Sequence, residues 1–106
     1  MNTEEKFIAI KKGLLRFIIL KIINNRQVYV LDIINRLKDT QFSTKEGTLY
    51  PLLSNLRREE LVEYEWIESD VGPTRKYYKL TLKGKDYLDK AEKYWQIIIK
   101  EIQDLL

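Results

Sequence analysis

Apolar positions recur along this chain at two spacings, helical and alternating. From about Glu4 to Asn24, Phe7, Ile8, Leu14, Leu15, Phe17, Ile18, Ile19, Ile22 and Ile23 wrap most of the circumference of one helix. A helix apolar nearly all round in so small a chain must be covered on two sides. One cover is the domain core, and a second copy of the chain is the simplest supplier of the other. A second helix, about Val30 to Lys38, sets Leu31, Ile34 and Leu37 on one face, and Asp39 to Phe42 link it to a third. There Ser43-Thr44-Lys45-Glu46 reads as a capping box, Ser43 accepting from the Glu46 amide and Glu46 returning to that of Ser43. The helix through Arg58 buries Leu49, Leu52, Leu53 and Leu56, and its other face carries Lys45, Thr48, Tyr50, Ser54 and Arg58. Pro51 costs about 3 kcal/mol inside a helix, unless the helix starts later and Pro51 stands in its first turn. Val62 to Glu68 and Arg75 to Thr81 alternate as strands around turn residues Ser69 to Thr74. The last helix starts near Thr81, a suitable N-cap, and carries Leu88, Ala91, Trp95, Ile98, Ile102 and Leu105 at spacings of 3, 4, 3, 4 and 3. That is an a/d seam with Trp95 at its middle.

Helix, helix-turn-helix, hairpin and helix, in that order, predict a mostly α fold with a small β-hairpin (α+β). It is a winged helix-turn-helix followed by a long C-terminal dimerisation helix. Residues 1–81 form the winged helix-turn-helix, with helix one also in dimer contact. Residues 82–106 form the dimerisation helix, the whole being one compact unit. The usual business of such a fold is DNA.

Composition narrows the chemistry. The 106 residues carry 19 basic and 16 acidic side chains, a net charge of +3, which permits a nucleic-acid partner without arguing for one. Residues 45–81 hold six cations against seven carboxylates, so the reading head is not basic in bulk. The acidic run Glu59, Glu60, Glu63, Glu65 and Glu68 counts against DNA. With neither Cys nor His, the usual zinc ligands, the commonest general base and the common triads are absent; no enzyme, metal or cofactor is expected. Leu14 to Ile23 is too short to span a bilayer and is interrupted by Arg16 and Lys21. Met1 to Glu5 lacks the basic start of a secretion signal, so a cytoplasmic protein without a membrane partner is expected.

Two motifs point to a family. Gly47-Thr48-Leu49-Tyr50-Pro51-Leu52-Leu53 resembles the recognition-helix signature of the PadR family of bacterial transcriptional regulators, in its short form with one C-terminal helix. Gly72-Pro73-Thr74-Arg75-Lys76-Tyr77-Tyr78-Lys79-Leu80-Thr81, then Gly84, resembles its wing and the start of its last helix. Three positions depart from the pattern. Tyr29-Val30-Leu31-Asp32 lacks the glycine usual at the start of helix two. Glu60 stands where glycine usually precedes the Leu61-Val62 pair. Asn55 and Arg57 stand where Arg and Glu are common. If residue 60 is left-handed, Glu costs roughly 1 kcal/mol relative to Gly.

The candidate DNA contacts are Lys45, Thr48, Tyr50, Ser54, Asn55, Arg58, Arg75 and Lys76. Several have a plainer alternative. Tyr50 either reaches a phosphate or packs half-buried on the wing. Thr48 either joins Lys45 at a phosphate or bonds a preceding carbonyl. Asn55 either reads adenine or is a solvated surface residue. Arg75 either meets DNA or pairs with Glu63 or Glu65 across the hairpin. The candidate dimer interface is Phe7, Leu14, Phe17, Leu88, Ala91, Trp95, Ile98, Ile102 and Leu105. Trp95 is either an interface anchor or, with its symmetry mate, a clamp for a flat aromatic ligand lined by Phe17 and Tyr94. The resemblance adds to the second reading, because some multidrug-responsive members have a tryptophan on the same helix. The expected protein is a homodimeric repressor of a pseudo-palindromic operator on double-stranded DNA, released by a small aromatic ligand or by none. Its rivals are a plasmid or phage DNA-binding control protein without inducer, and a winged-helix protein-interaction module.

Overall fold

The computed structural model describes residues 2–69 and 71–106, so Asp70 of the expected wing turn lies outside the described residues. The first helix is broken once. Asn2 caps α1 (Thr3–Lys6), its side chain accepting from the Glu5 amide at 2.9 Å, and after Phe7 the chain resumes as α2 (Ile8–Asn25). Only the second half of α2 enters the core, through Ile19, Leu20, Ile22 and Ile23; Phe7, Ile8 and Ile10 stand about half in solvent.

A strand that the sequence reading missed, β1 (Val28–Tyr29), precedes α3 (Val30–Leu37). Asp32 accepts from the Tyr29 amide at 3.2 Å and so closes the start of α3 where the usual glycine is missing. The buried face of α3 is Val30, Ile33 and Leu37, with Ile34 partly covered. Leu31, expected inside, is 45% exposed.

α4 (Glu46–Arg58) starts later than the expected cap. Lys45 occupies the N-cap position with no side-chain hydrogen bond, and the Ser43–Glu46 capping box does not form. The upstream turn takes one of its groups, the Ser43 amide, which donates to Thr40 O at 3.2 Å, and the Thr44 hydroxyl donates to Phe42 O at 2.7 Å. Leu49, Leu53 and Leu56 are buried, and Leu52 packs against the core from its margin. Pro51 lies inside a running helix. A proline ring there crowds the carbonyl four residues back, which belongs to Gly47.

β2 (Val62–Ser69) and β3 (Gly72–Leu80) form the wing, pairing from Val62↔Leu80 to Ser69↔Gly72. The strands therefore run closer to the tip than expected, taking in Gly72, Pro73 and Thr74. With β1 they make a three-stranded antiparallel sheet in the order β1-β3-β2. α5 (Leu82–Leu105) follows.

The joint between these elements is built on three residues, Glu60, Thr81 and Gly84. α4 ends in a Schellman turn in which the Leu61 amide reaches Leu56 O at 3.0 Å and Glu60 takes φ 63°. The expected left-handed position is therefore real, occupied by Glu instead of Gly. Thr81 caps α5, accepting from the Gly84 amide at 2.9 Å, donating its hydroxyl to Glu60 O at 2.5 Å, and sending its own amide to Leu61 O at 3.1 Å. Gly84 packs directly on that Leu61 carbonyl, and a Cβ there would overlap the carbonyl oxygen and press on its carbon at 2.9 Å.

Two substitutions test this joint. Gly84→Ala should lower the unfolding free energy by about 3 kcal/mol, because backbone must move to admit one methyl. Glu60→Gly should raise it by about 1 kcal/mol by relieving the left-handed strain. Urea unfolding followed by circular dichroism reads both.

Candidate nucleic-acid interface

Helical geometry divides the solvent side of α4 into three strips. Opposite the buried leucines stand Gly47, Pro51, Ser54 and Arg58. Thr48 and Asn55 hold one shoulder, and Tyr50 and Arg57 hold the shoulder that faces the wing. Lys45, Thr48, Ser54, Asn55 and Arg58 are all exposed. Arg58 donates to the Asn55 side-chain oxygen, which ties up part of the amide that adenine readout would need. Tyr50 does not oppose Leu49 and Leu53; it turns toward the wing and keeps 46% of its surface exposed.

The wing separates Arg75 from Lys76. Alternation along β3 puts Tyr78 and Leu80 in the core, and with them, on the α4 side, Lys76. Arg75 and Tyr77 take the opposite face, where the Arg75 guanidinium sits 4.7 Å from the Tyr29 ring centroid and Tyr29 lies 5.4 Å from Tyr77. The alternative pairing of Arg75 with Glu63 or Glu65 does not form. Lys79 pairs with Glu63 at 3.7 Å, and Glu65 accepts from Gln27 at 2.5 Å. On the α4 side, Lys76 Nζ stands 4.0 Å from the Tyr64 centroid, and the Arg57 guanidinium stands 4.5 Å from the same ring.

Sequence reasoning did not place Arg57 or Tyr64 in the site. The signal was the alternation of β2, which puts Tyr64 on the face of Val62. The strand register that sets it opposite Tyr78 had to be seen.

Four of the five acids in the run that argued against DNA are engaged elsewhere, and the fifth, Glu68, is exposed near the wing tip. Glu59 pairs with Arg16 on α2, Glu60 faces Lys83 on α5, and Glu63 and Glu65 project from the far side of the wing.

The other surface is apolar. α5 buries only Gly84 and Leu88, so Leu88 belongs to the protomer's own core and drops out of the seam. Trp95, Ile98, Ile102 and Leu105 remain exposed at 37%, 43%, 48% and 85%. Between α2 and α5 lies a groove of about 460 Å³ that brings Leu14, Phe17, Ala91, Tyr94, Trp95 and Ile98 together. The Phe17 and Trp95 rings are 6.3 Å apart and inclined at 36°. Phe7 lies outside this groove and lines a second apolar hollow with Ile10, Leu14 and Phe42. Among the described residues no helix is long and apolar enough to cross a membrane.

Burial and, after it, the neighbouring Tyr50 and Tyr64 hold the Tyr78 hydroxyl above the usual tyrosine range, with Arg57 pulling weakly the other way. The unfolded chain releases this proton near pH 10.0, and the folded chain keeps it to higher pH. Its contribution is therefore intact below that pH and is lost as pH rises above it. Urea titrations from about pH 9 to about pH 11 should show stability falling, and Tyr78→Phe should flatten that decline.

Residues 19–90 match the transcriptional regulator PadR-like family. An uncharacterised protein of Lysinibacillus sphaericus is 36% identical over 97 residues, covering 89% of this chain and 88% of its own. Among solved structures, a PadR-like transcription factor from Bacteroides fragilis is 40% identical with a TM-score of 0.79. A PadR-like transcriptional regulator from Bacillus cereus is 33% identical with a TM-score of 0.84. Each of those alignments covers 92% of this chain and 95% of the other.

Proposed function

Because this chain belongs to the PadR-like family of transcriptional regulators, we propose that it is a homodimeric cytoplasmic repressor that reads a pseudo-palindromic operator. The observation that carries the reading is the exposed polar strip of α4, flanked by the wing, from which Glu59, Glu63 and Glu65 are drawn away. Lys45, Thr48, Ser54 and Arg58 meet the major groove and its phosphates, with Tyr50 on the wing side. α5 pairs with its mate through Trp95, Ile98, Ile102 and Leu105, and Leu14, Phe17 and Ala91 add to that contact; Phe7 extends it at the start of α2. Exposure of this stripe is the strongest support for the dimer, since a row of exposed large apolar residues is unusual on a monomer. Two-fold pairing sets half-sites about one helical turn apart. The groove between Phe17, Tyr94 and Trp95 has the size and apolar lining for a flat aromatic inducer. A winged-helix module for a protein partner is the rival, and its main support, the acidic run, is largely spent on contacts within the chain.

Fluorescence anisotropy of labelled DNA from the gene's own upstream region, across a salt series, tests this. Binding should exceed that to scrambled DNA by at least about a thousandfold at physiological salt. Arg58→Ala should reduce the salt slope by about one. Ile98→Glu/Ile102→Glu should sediment as a monomer and bind DNA only weakly. Salt-insensitive or absent binding to every DNA would overturn the regulator reading in favour of the protein-interaction module.

A further inference from the structure

On the side of the wing that faces α4, cations and rings alternate. Arg57 and Lys76 share the Tyr64 ring at 4.5 and 4.0 Å, and Lys76 also lies 5.6 Å from the Trp66 centroid and 5.9 Å from that of Tyr78. Tyr64 meets Trp66 edge-on at 6.4 Å and Tyr78 at 5.9 Å. The strand register accounts for the row: Tyr64 pairs with Tyr78 and Trp66 with Lys76, all four on one face of the hairpin. Toward the core this face is closed by Tyr78, and toward the tip it opens, leaving Trp66 62% exposed.

Two like charges therefore meet on one ring. Among the described residues neither Arg57 nor Lys76 lies within ion-pair distance of a carboxylate, although residues 45–81 hold seven acids to six bases. Glu59, Glu60, Glu63 and Glu65 are directed to Arg16, Lys83, Lys79 and Gln27, and Glu68 is exposed toward the wing tip. Beside Arg57 is an open hollow of about 400 Å³ lined also by Ser54 and Arg58. Repulsion between the two cations is relieved by an anion lying between them, and their stacking on Tyr64 has already ordered both side chains, so little further ordering is needed to hold it.

We propose that Arg57 and Lys76, positioned by Tyr64, clasp a single backbone phosphate of the DNA duplex where it passes from the recognition helix to the wing. This inference rests on the DNA-binding reading above and adds to it two residues' joint role. The clasp supplies affinity and register at every sequence, because a phosphate carries no base identity.

The test is the same salt series, run on upstream and scrambled DNA with Arg57→Ala, Lys76→Ala, the double variant and Tyr64→Leu. Each single alanine should weaken binding but leave the salt slope nearly unchanged, because the other cation still meets the phosphate, and the double should lower the slope by about one. The loss should be alike on both DNAs. Tyr64→Leu should weaken binding at an unchanged slope, the charges being present but no longer held. Arg57→Lys should retain most of the affinity that Arg57→Ala loses, which guards against a folding artefact. An unchanged slope in the double variant would overturn the clasp, reducing the cluster to internal packing. A fall of about two in the double variant would also overturn it, because the cations would then serve separate phosphates. If wild-type protein shows no salt-dependent binding, the DNA reading itself fails and the clasp falls with it, an outcome separate from a defect confined to the variants.

Discussion

The contact on which this architecture depends is the seating of Gly84 against the Leu61 carbonyl. Three elements meet there: the end of α4, the start of β2 and the first turn of α5. Thr81 locks the same point from the other side by capping α5 while bonding the Glu60 carbonyl and reaching Leu61 O. The left-handed Glu60 makes the turn that delivers Leu61 to this position. A carbonyl that approaches a helix this closely leaves no room for a side chain, so the fold fixes the residue type at 84. At residue 60 it only sets a preference, and the chain carries a costlier residue there.

Long periodic elements were legible in the sequence, and contacts that depend on pairing were not. α5 and its Thr81 cap followed from spacing and from one hydroxyl in the right place. So did the leucine face of α4. β1 was invisible because two residues have no period, and only pairing with Tyr77 and Tyr78 makes Val28 and Tyr29 a strand. In α3 the sets Leu31/Ile34/Leu37 and Val30/Ile33/Leu37 fit a helix equally well, and the strand before Val30 selects the second. The Ser43 capping box failed because the preceding turn captured the Ser43 amide it needed. Leu88 fits the α5 seam by period, but the first turns of that helix lie on the core, so it is buried within the protomer.

Charge in this chain is organised by direction more than by amount. A count of residues 45–81 makes the reading head slightly acidic. Strand alternation then sorts those charges, putting Glu63, Glu65 and Lys79 on one face of the wing and Lys76 on the other, while Arg57 approaches Lys76 from α4. The acids at the end of α4 are drawn to Arg16 and Lys83. Net charge therefore says little about the potential a partner would meet.

A joint without slack is also a lever. α5 is 24 residues long, about 36 Å at 1.5 Å per residue, and it is rooted in the reading head by backbone contact instead of by yielding side chains. Tilting such a rod by ten degrees at its root displaces its far end by about 6 Å, more than one helical turn. Small changes in how two copies of α5 cross would thus be converted, without loss in a soft hinge, into changes of separation between two recognition helices. In the proposed dimer, the geometry of pairing and the geometry of reading would be mechanically one variable.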